Sequence, residues 1–436
     1  MSPEPNESRK SRNGTPVLAI LVGGGPAPGI NGVISATTLE ANKAGYRVLG
    51  VRNGFRGLLN PAGPQVEELT YQNVGRIYTE GGSVLGTARE SPRRDPQKLA
   101  KVMQALRDLH VSALVTIGGE GTLASAAAVS DQGRGWLRVA HVPKTIDNDL
   151  PLPPHLPTFG FQTARHEGTR IVENLKMDAR TTDRWYLVTT MGREAGHLAL
   201  GIGKAAAATV TLIPEEFPGR RTSVREVVDI LECAILKRRA LGREHGVAVL
   251  AEGLVEILEG LEAIPDSGLA FDEYGRKKVS EVRLGLILKR ELQKRLQARG
   301  ITTPIVTKEL GYELRCAPPT PFDMEYTRDL GYGAARFVTE GGTGAVIAVD
   351  AGRIIPIPFD SLVDRPTGRT RVRYVDTTTT AFQVAWEYMC RLKPEDLQDR
   401  ALWAALAVQA GMTPEAFAVR YGYLATPRSP PLQVIQ

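Results

Sequence analysis

The stretch PVLAILVGGGPAPGIN, residues 16–31, decides the fold expected for this chain. Residues 16–22 form a continuous apolar run, as expected of a strand that is buried on both faces of a parallel sheet. Residues 23–29 are a glycine- and proline-rich turn, and helical spacing follows to about Lys43. These segments predict a strand–turn–helix unit whose helix amino terminus can receive an anion, although such a turn can also be purely structural.

The same pattern recurs further along the chain. The apolar run of residues 113–117 leads into GGEGT, residues 118–122, and then into a helix of small residues. Strands and helices continue to alternate beyond residue 157, with further strands predicted over residues 137–142, 184–190, 209–213 and 246–251. This alternation predicts an α/β fold with two doubly wound Rossmann-like domains, mainly parallel sheets and an active-site cleft between the domains.

The expected domain boundaries follow from this rhythm and from local composition. Residues 1–15 are polar and contain prolines, so we expect a disordered tail. The first α/β domain is expected over residues 16–157, completed by about 316–379, and the second over residues 158–315. Residues 380–436 are expected to form a helical C-terminal extension.

Composition narrows the class of protein. The 436 residues, 42% of them hydrophobic, suffice for two or three domains with proper cores. Cys233, Cys316 and Cys390 lack metal-type spacing, which predicts a reducing, cytoplasmic location without disulfides or zinc. We expect no membrane association, since no apolar run reaches the length of a membrane span. The net charge of +6 suits anionic ligands, and its even spread favours phosphorylated metabolites over nucleic acid.

Two carboxylates stand out in PKTIDNDLP, residues 143–151. The prolines discourage a helix at either end, so we interpret the stretch as extended chain or loop. In an extended segment Asp147 and Asp149 share a face with Thr145, and such a trio can take a proton from a hydroxyl and hold a metal-bound phosphate. The composition is equally typical of an Asx-rich turn.

Two further loops carry groups suited to phosphate. GGSVLGTAR, residues 81–89, ends in Arg89, whose guanidinium beside a backbone nest suits phosphate oxygens, although a solvated arginine is the other interpretation. Within GGEGT, Glu120 is placed to hold Mg²⁺ directly or through water. This motif also occurs in NAD kinases and lipid kinases, so it indicates a phosphoryl-donor site rather than one substrate.

Seven motifs occur in the order found in one family. They are GGGPAPGIN (23–31), GGSVLGTAR (81–89), GGEGT (118–122), PKTIDNDLP (143–151), MGREAGH (191–197), PEE (214–216) and LGYELR (310–315). With these motifs in this order, the chain resembles the 6-phosphofructokinases. The resemblance implies Mg²⁺-dependent phosphorylation of D-fructose 6-phosphate at its 1-hydroxyl, the committing step of glycolysis.

The resemblance also implies a role for each matching residue. Asp147 matches the base that takes the proton from the 1-hydroxyl, and Asp149 matches a carboxylate that organises magnesium. Thr145 and Arg193 match contacts to the sugar and the transferred phosphoryl group. The matching donor residues are Gly25, Arg89, Glu90, Gly119, Glu120, Gly121 and Thr122, with Glu120 as the metal ligand. The matching fructose 6-phosphate residues are Thr145, Asp147, Arg184, Met191, Gly192, Arg193, Glu215, Tyr312 and Arg315. Because Arg184 matches an arginine that reaches a neighbouring subunit's sugar phosphate, the resemblance implies a homodimer or homotetramer with shared sites.

Two residues bear on the phosphoryl donor. Pyrophosphate-dependent relatives carry an aspartate that obstructs the nucleotide, whereas Gly121 here leaves room for ATP. The same relatives carry a lysine at the position of Lys144, whose ammonium could bind pyrophosphate. Gly121 removes the obstruction to a nucleotide, and Lys144 creates none. We therefore expect ATP as the donor, with pyrophosphate as the alternative. A non-catalytic regulatory subunit is a more distant alternative, disfavoured by the intact Asp147 and Asp149.

Overall fold

The computed structural model describes residues 14–271, 277, 279–364 and 369–425. Most of the expected N-terminal tail and the last residues of the C-terminal extension therefore lie outside the described residues. In the part of the chain that is described, no helix combines the length and the apolar character needed to cross a membrane.

Strands and helices alternate along most of the chain. In chain order the strands are β1 (Val17–Val22), β2 (Arg47–Val51), β3 (Val66–Leu69), β4 (Val111–Gly118), β5 (Arg138–Pro143), β6 (Trp185–Thr190), β7 (Val210–Leu212), β8 (Thr222–Ser223), β9 (Gly246–Ala251), β10 (Leu258–Glu259), β11 (Ile305–Leu310), β12 (Ala345–Asp350), β13 (Arg353–Pro358), β14 (Val363–Asp364) and β15 (Arg369–Thr370). The helices are α1 (Ile30–Lys43), α2 (Phe55–Leu58), α3 (Tyr71–Val74), α4 (Pro96–Asp108), α5 (Glu120–Gln132), α6 (Phe161–Thr182), α7 (His197–Ala205), α8 (Val224–Ala240), α9 (Leu254–Ile257), α10 (Leu284–Ala298), α11 (Tyr312–Arg315), α12 (Pro321–Thr339), α13 (Phe359–Leu362), α14 (Thr380–Glu387), α15 (Pro394–Gln398), α16 (Arg400–Ala410) and α17 (Pro414–Tyr421).

The chain divides into two compact units. Unit one comprises residues 1–144 and 321–371, and unit two comprises residues 145–320 and 372–436. The first boundary thus lies at Lys144 rather than at residue 157, because the following loop is hydrogen-bonded to Arg373 of unit two. The C-terminal helices, expected as a separate extension, belong to unit two because α16 and α17 pack into its core.

Unit one is built on a seven-stranded sheet in the order β13-β12-β5-β4-β1-β2-β3. The strand β1 is buried along its whole length and pairs in parallel with β2 and β4, as its apolar run predicts. The edge strands β3 and β13 pair antiparallel to their neighbours. Because the chain moves in opposite directions from the centre along this order, right-handed crossovers place helices on both faces.

Small residues let α1 and α12 approach closely in unit one. A Cβ atom added to Gly32 would lie 2.3 Å from the Thr327 hydroxyl, and one added to Gly331 would lie 2.7 Å from the Val33 carbonyl oxygen. The Thr37 hydroxyl donates to the Gly331 carbonyl at 3.1 Å. This contact fixes α1, whose amino terminus follows the first glycine turn, against the rest of unit one.

A buried histidine links β5 to the end of β4. His141 is fully buried; its Nε2 lies 2.9 Å from the Gly118 carbonyl oxygen and its Nδ1 lies 2.8 Å from the Thr116 hydroxyl. Burial lowers the pKa of the imidazole to about 3, so the ring is neutral at physiological pH. The neutral ring is therefore hydrogen-bonded to the carbonyl of Gly118, the first residue of GGEGT.

Unit two contains a fully parallel four-stranded sheet in the order β11-β6-β9-β7. Its core joins the sheet to α8, α10 and the C-terminal helices, with Trp185, Leu231 and Phe417 among the fully buried residues. The C-terminal helices therefore complete this core.

An ionic cluster also ties α17 to α8 and α10. Asp229 and Glu232 are fully buried on α8. The Asp229 carboxylate accepts hydrogen bonds from both terminal nitrogens of Arg420, at 2.6 and 2.8 Å, and pairs with Arg295 as well. Glu232 accepts Arg299 Nε at 2.8 Å. Removing one partner would leave the others buried and uncompensated.

We predict that Asp229→Ala lowers the free energy of unfolding by about 3 kcal/mol, because it leaves Arg295 and Arg420 without their shared carboxylate. Urea denaturation measures the change. The matched control is Asp131→Ala, which breaks an exposed pair with Arg134 and should cost less than about 0.5 kcal/mol. Equal effects of the two substitutions would refute the structural role of the cluster.

We further predict that His141 makes stability fall with acidification. The folded pKa lies below the ordinary value of 6.5, so the unfolded state binds the extra proton, and stability is lost as pH falls below 6.5. Between pH 7 and pH 5 the loss from this residue should be about 2 kcal/mol. Urea denaturation at both pH values should show a smaller pH dependence for His141→Asn. The exposed His110, replaced by Asn as a control, should leave the dependence unchanged.

Candidate active site

The glycine turns of unit one follow neighbouring strands at one edge of the sheet. β1 leads into the turn at residues 23–29, and β4 leads into GGEGT. β1 and β4 are paired, and the amide of Gly23 donates to the Ile117 carbonyl at 2.8 Å. The strand order changes direction between β1 and β4, which is where open α/β sheets bind ligands.

Thr122 packs between the first and third glycine turns. A Cβ atom added to Gly23 would lie 2.3 Å from the Thr122 hydroxyl oxygen, and one added to Gly118 would lie 2.3 Å from the Thr122 Cβ. Neither position can hold a side chain without displacing Thr122. The two turns are therefore held together by a close contact that only glycine permits.

The second glycine-rich loop joins the same edge. The Gly24 amide donates to the Ala88 carbonyl at 3.0 Å, and the Thr87 hydroxyl donates to the Gly24 carbonyl at 2.7 Å. Arg89 follows and is exposed, so its guanidinium is accessible to an anion. Glu90, which the family resemblance places among the donor residues, pairs with Lys98 at 2.9 Å.

Lys144 brings a buried cation to these turns. The residue is 4% exposed, and its backbone amide donates to the Gly118 carbonyl at 2.9 Å. Its ammonium donates to the Gly25 carbonyl. Gly24 adopts a φ of 84°, and a Cβ atom there would lie 3.4 Å from the Lys144 ammonium. The lysine is thus fixed between the turns that the sequence assigns to the donor.

The first turn of α5 carries the proposed metal ligand. Glu120 and Gly121 are both exposed, and a Cβ atom added to Gly121 would meet nothing within 4 Å. Among the described residues, no group of three or more His, Cys, Asp or Glu side chains is arranged to hold a metal. One accessible carboxylate fits Mg²⁺, which commonly binds through one or two carboxylates together with substrate phosphates and water.

In unit two, the loop that begins with Thr145 shows features of both interpretations of PKTIDNDLP. Thr145, Asp147 and Asp149 are partly exposed, whereas the residues between them are buried, as expected if the trio shares a face. However, Asn148 has a φ of 56°, and the Asp147 amide donates to the Thr145 hydroxyl at 3.0 Å. The segment is therefore a hydrogen-bonded turn whose polar side chains nevertheless alternate with buried ones.

Two of the motifs predicted to bind the sugar, MGREAGH (191–197) and LGYELR (310–315), lie at the carboxyl ends of β6 and β11. The Met191 amide donates to the Leu310 carbonyl at 3.0 Å, and a Cβ atom added to Gly311 would lie 2.5 Å from the Met191 side chain. This contact brings residues 191–193 beside α11, where Arg315 lies 4.9 Å over the ring of Tyr312. The structure therefore brings two of the predicted sugar motifs together.

Glu252, which the sequence reasoning missed, lies among these residues. It follows the buried strand β9, and its carboxylate accepts the Gly192 amide at 3.2 Å. Burial raises the pKa of Glu252, an effect that the nearby charges of Arg315 and Arg193 partly offset. An acidic residue directly after a buried strand was the sequence signal that could have identified it.

Glu215 is held by two backbone donors. Its Oε1 accepts the Gly196 amide at 2.8 Å and the Val375 amide at 3.1 Å. Burial raises the pKa of this carboxyl group. Its Oε2 is buried and has no hydrogen-bond partner within the described structure, so it is available to a ligand hydroxyl. Glu215 and Arg220 also line a cavity of about 720 Å³ in unit two.

Arg184 lies apart from the other predicted sugar residues. It immediately precedes β6, whereas Met191 immediately follows that strand, so the two residues lie at opposite ends of it. The Arg184 Nε lies 3.8 Å from an Asp178 carboxylate oxygen. Within one chain, Arg184 therefore does not join the group formed by residues 191–193 and α11.

A second cavity of the molecule lies elsewhere in unit one. It has a volume of about 660 Å³ and is lined by Arg138, Gly344 and Trp136 near the amino ends of β5 and β12. The glycine turns lie at the carboxyl ends of β1 and β4, which run parallel to β5 and β12. This cavity is therefore not part of the candidate site.

Arg373 is the other residue that sequence reasoning missed. Its guanidinium donates to the Leu156 carbonyl at 2.7 Å and to the Asn148 carbonyl at 3.0 Å. It therefore holds the loop that carries Asp147 and Asp149. The cluster of basic residues at 369–373 was the available signal, but nothing in it indicates a contact with a loop more than two hundred positions earlier.

Comparisons with known proteins place this arrangement in a family. A family model described as phosphofructokinase matches residues 17–338. A relative from Thermotoga maritima, named pyrophosphate–fructose 6-phosphate 1-phosphotransferase, is 49% identical over 409 residues, covering 93% of this chain and 97% of that protein. A relative from Mycobacterium tuberculosis, named ATP-dependent 6-phosphofructokinase, is 34% identical over 361 residues, covering 82% of this chain and 98% of that protein.

A solved structure supports the fold. The pyrophosphate-dependent phosphofructokinase from Marinobacter aquaeolei matches with a TM-score of 0.66 at 17% identity, covering 86% of this chain and 90% of that one. At this identity the match concerns the fold alone, and it agrees with the doubly wound units described above. Since the family model covers most of the chain and the Thermotoga relative matches it almost end to end, this chain belongs to the phosphofructokinase family.

Proposed function

We propose that this protein transfers a phosphoryl group to the 1-hydroxyl of D-fructose 6-phosphate, giving fructose 1,6-bisphosphate. The observation that carries the proposal is the chain connection between Lys144 and Asp147. Lys144 is buried against the glycine turns, and Asp147 follows three residues later. Three residues of extended chain span at most about 11 Å, so the Cα atoms of Lys144 and Asp147 lie within that distance. The names of the two relatives above, both enzymes of fructose 6-phosphate, support this substrate.

The proposed chemistry needs one base. Asp147 takes the proton from the sugar's 1-hydroxyl while that oxygen attacks the terminal phosphorus, and the bond to the leaving phosphate breaks. Thr145 and Arg193 contact the sugar and the phosphoryl group during its transfer. Arg193 offsets the negative charge that develops on that group. The partial exposure of Asp147 is compatible with direct access to substrate.

Two carboxylates are proposed to serve Mg²⁺. Glu120 is the proposed metal ligand, and Asp149 is the carboxylate proposed to organise the ion, directly or through water. When bound, Mg²⁺ neutralises charge on the donor's phosphate oxygens. The remaining donor contacts proposed are the backbone of Gly25 and Gly119, the Thr122 hydroxyl and the exposed Arg89.

The sugar is proposed to lie on the assembled motifs of unit two. The unpartnered Oε2 of Glu215 is suited to accept a sugar hydroxyl, because a buried carboxylate oxygen gains from any donor that reaches it. Arg315 and Tyr312, side by side on α11, would hold the 6-phosphate. Met191 and Gly192 supply the backbone between these groups.

We propose pyrophosphate as the donor, with ATP as the second candidate. The fixed ammonium of Lys144 supports pyrophosphate, because a donor without a nucleoside must gain its binding energy from phosphate contacts. The name of the relative at 49% identity supports the same donor, whereas relatives named ATP-dependent match at 34%. The open space at Gly121 supports ATP, which was the expectation from sequence. That expectation stays a prediction.

The position of Arg184 supports an oligomer. Because it lies at the other end of β6 from the sugar motifs, it can serve a sugar phosphate only in another subunit, as the family resemblance implies. We therefore propose a homodimer or homotetramer with shared sites, and the cytoplasmic location also stays a prediction.

Steady-state assays with fructose 6-phosphate and Mg²⁺, offering pyrophosphate and ATP separately, test the donor. We expect kcat/KM to be at least about tenfold higher with pyrophosphate. Lys144→Met should lower kcat/KM for pyrophosphate roughly thirtyfold, since a charged hydrogen bond is worth about 2 kcal/mol. Lys43→Met, which removes an exposed lysine of unit one, should leave it unchanged. Faster turnover with ATP would reverse the donor assignment, and activity with neither donor would overturn the proposed function.

The base assignment is tested by Asp147→Ser. We expect kcat to fall by about 10³-fold, within the range that general bases contribute, while KM for fructose 6-phosphate changes less than about threefold. Steady-state and single-turnover kinetics with the preferred donor measure both values. Asp131→Ser is the control for losing an acidic side chain. A loss of kcat below tenfold would show that Asp147 is not the base.

A further inference from the structure

The segment Val372–Asp376, which we call the strap, is where the chain resumes in unit two after its second passage through unit one. No predicted site residue lies in it. Nevertheless the strap contacts the loop that carries the proposed base and two of the sugar motifs. These contacts suggest a role in the reaction as well as in the fold.

Arg373 provides most of the contacts to the loop. Its backbone amide donates to the Asp149 carbonyl at 2.8 Å. Its side chain donates to backbone carbonyls and to one amide oxygen of the loop, which are the carbonyls of Asn148 at 3.0 Å, Pro153 at 3.1 Å, Leu156 at 2.7 Å and Leu152 at 3.4 Å, and the Asn148 side chain. A single guanidinium therefore gathers both ends of the loop.

The loop requires such a partner. Residues 144–160 contain no helix or strand, so their carbonyls lack the partners that regular structure supplies. Asn148 is held at a φ of 56°, and its Oδ1 also accepts the Thr158 amide at 3.0 Å. Arginine suits this task because its planar fork carries five donors, whereas lysine has a single ammonium.

The strap also reaches the sugar motifs. The Val375 amide donates to Glu215 at 3.1 Å, and the Nε2 of His197 lies 3.0 Å from the Arg373 carbonyl oxygen. Burial lowers the pKa of His197 to about 4, so the neutral ring donates from this nitrogen. In addition, the Arg220 guanidinium lies 3.9 Å over the ring of Tyr374. One short segment thus fixes the positions of the carboxylate loop and of Glu215.

We propose that Arg373 is a positioning residue for phosphoryl transfer, which sets Asp147 and Asp149 in register with the sugar-binding Glu215. The roles of these carboxylates rest on the function proposed above. Arg373 itself touches neither substrate in this scheme. It acts by holding the loop, and displacement of a reacting group by about 1 Å can cost about 10²-fold in rate.

The test is Arg373→Lys, which keeps the charge and removes the fork. We expect kcat to fall about 10²-fold, while KM for the phosphoryl donor stays within about threefold. The matched control is Arg299→Lys. Arg299 is likewise a multiply bonded arginine of unit two, but its partners are Glu232 and Tyr421. At a comparable loss of thermal stability, Arg299→Lys should keep kcat within twofold. Similar kcat losses in the two variants, or a loss below fivefold for Arg373→Lys, would overturn the proposal.

Amide hydrogen exchange gives a readout that does not depend on activity. In Arg373→Lys, the amides of residues 145–158 should exchange at least about tenfold faster, whereas Arg299→Lys should leave them unchanged. If the wild-type protein turns over neither donor, the proposed function fails, yet the exchange rates still decide whether Arg373 holds the loop. Unchanged exchange in this segment would overturn the positioning role.

A second variant covers the case in which Arg373→Lys does not fold. Asn148→Gly removes the side-chain acceptor of Arg373 while accommodating the positive φ at that position. We expect a roughly tenfold loss of kcat with KM for the donor unchanged, together with faster exchange at Thr158. Wild-type kcat and wild-type exchange in this variant would contradict the proposal.

Discussion

The buried ammonium of Lys144 is the interaction on which the donor half of the candidate site depends. The Lys144 residue is 4% exposed, and removing a lysine side chain from water costs several kcal/mol unless neighbouring groups compensate. The Gly25 carbonyl supplies part of that compensation, and the neighbouring Gly24 adopts a φ of 84° that favours glycine. Phosphate oxygens are the natural complement to a cation fixed in this way. The convergence of three glycine-rich turns on one sheet edge places bare backbone and one charge together, as the proposed donor site requires.

Local sequence patterns were sufficient to predict the parts of the structure that depend on neighbouring residues. The apolar runs of β1 and β4, the glycine turns and the alternating exposure of residues 145–149 are local patterns of this kind. The division into two α/β domains was predicted, but Arg373 and the exact boundary between the units could not be predicted in this way. Their contacts join residues far apart in the chain, such as Arg373 and Asn148, and no periodicity records such a pairing. Glu252 is an intermediate case, because its place after a buried strand was visible but its neighbours Arg193 and Arg315 were not.

The C-terminal region is helical as expected, but the sequence did not show what its helices contact. Its helices show no recognisable chemistry in sequence, yet α17 carries Arg420 to a fully buried Asp229. Arg391, also buried, pairs with Glu216, the residue that follows Glu215 in the PEE motif. Both are long-range ion pairs in the interior of unit two, and each exists only because the helices complete its core. The helical extension is therefore part of the interior of unit two, and Arg391 links it to the PEE motif.

The donor proposed for this chain is argued from an attraction rather than from a clash. The open space at Gly121 excludes neither pyrophosphate nor ATP, so it permits both donors without preferring one. In the proposed scheme, by contrast, the Lys144 ammonium attracts the phosphates of either donor. That contribution is a larger share of the total for pyrophosphate, which has no nucleoside with which to make other contacts. A nucleotide would need additional contacts of its own to overcome this bias. The mixed pair of Gly121 and Lys144 is therefore physically consistent with a pyrophosphate enzyme, even though one member of the pair alone suggests ATP.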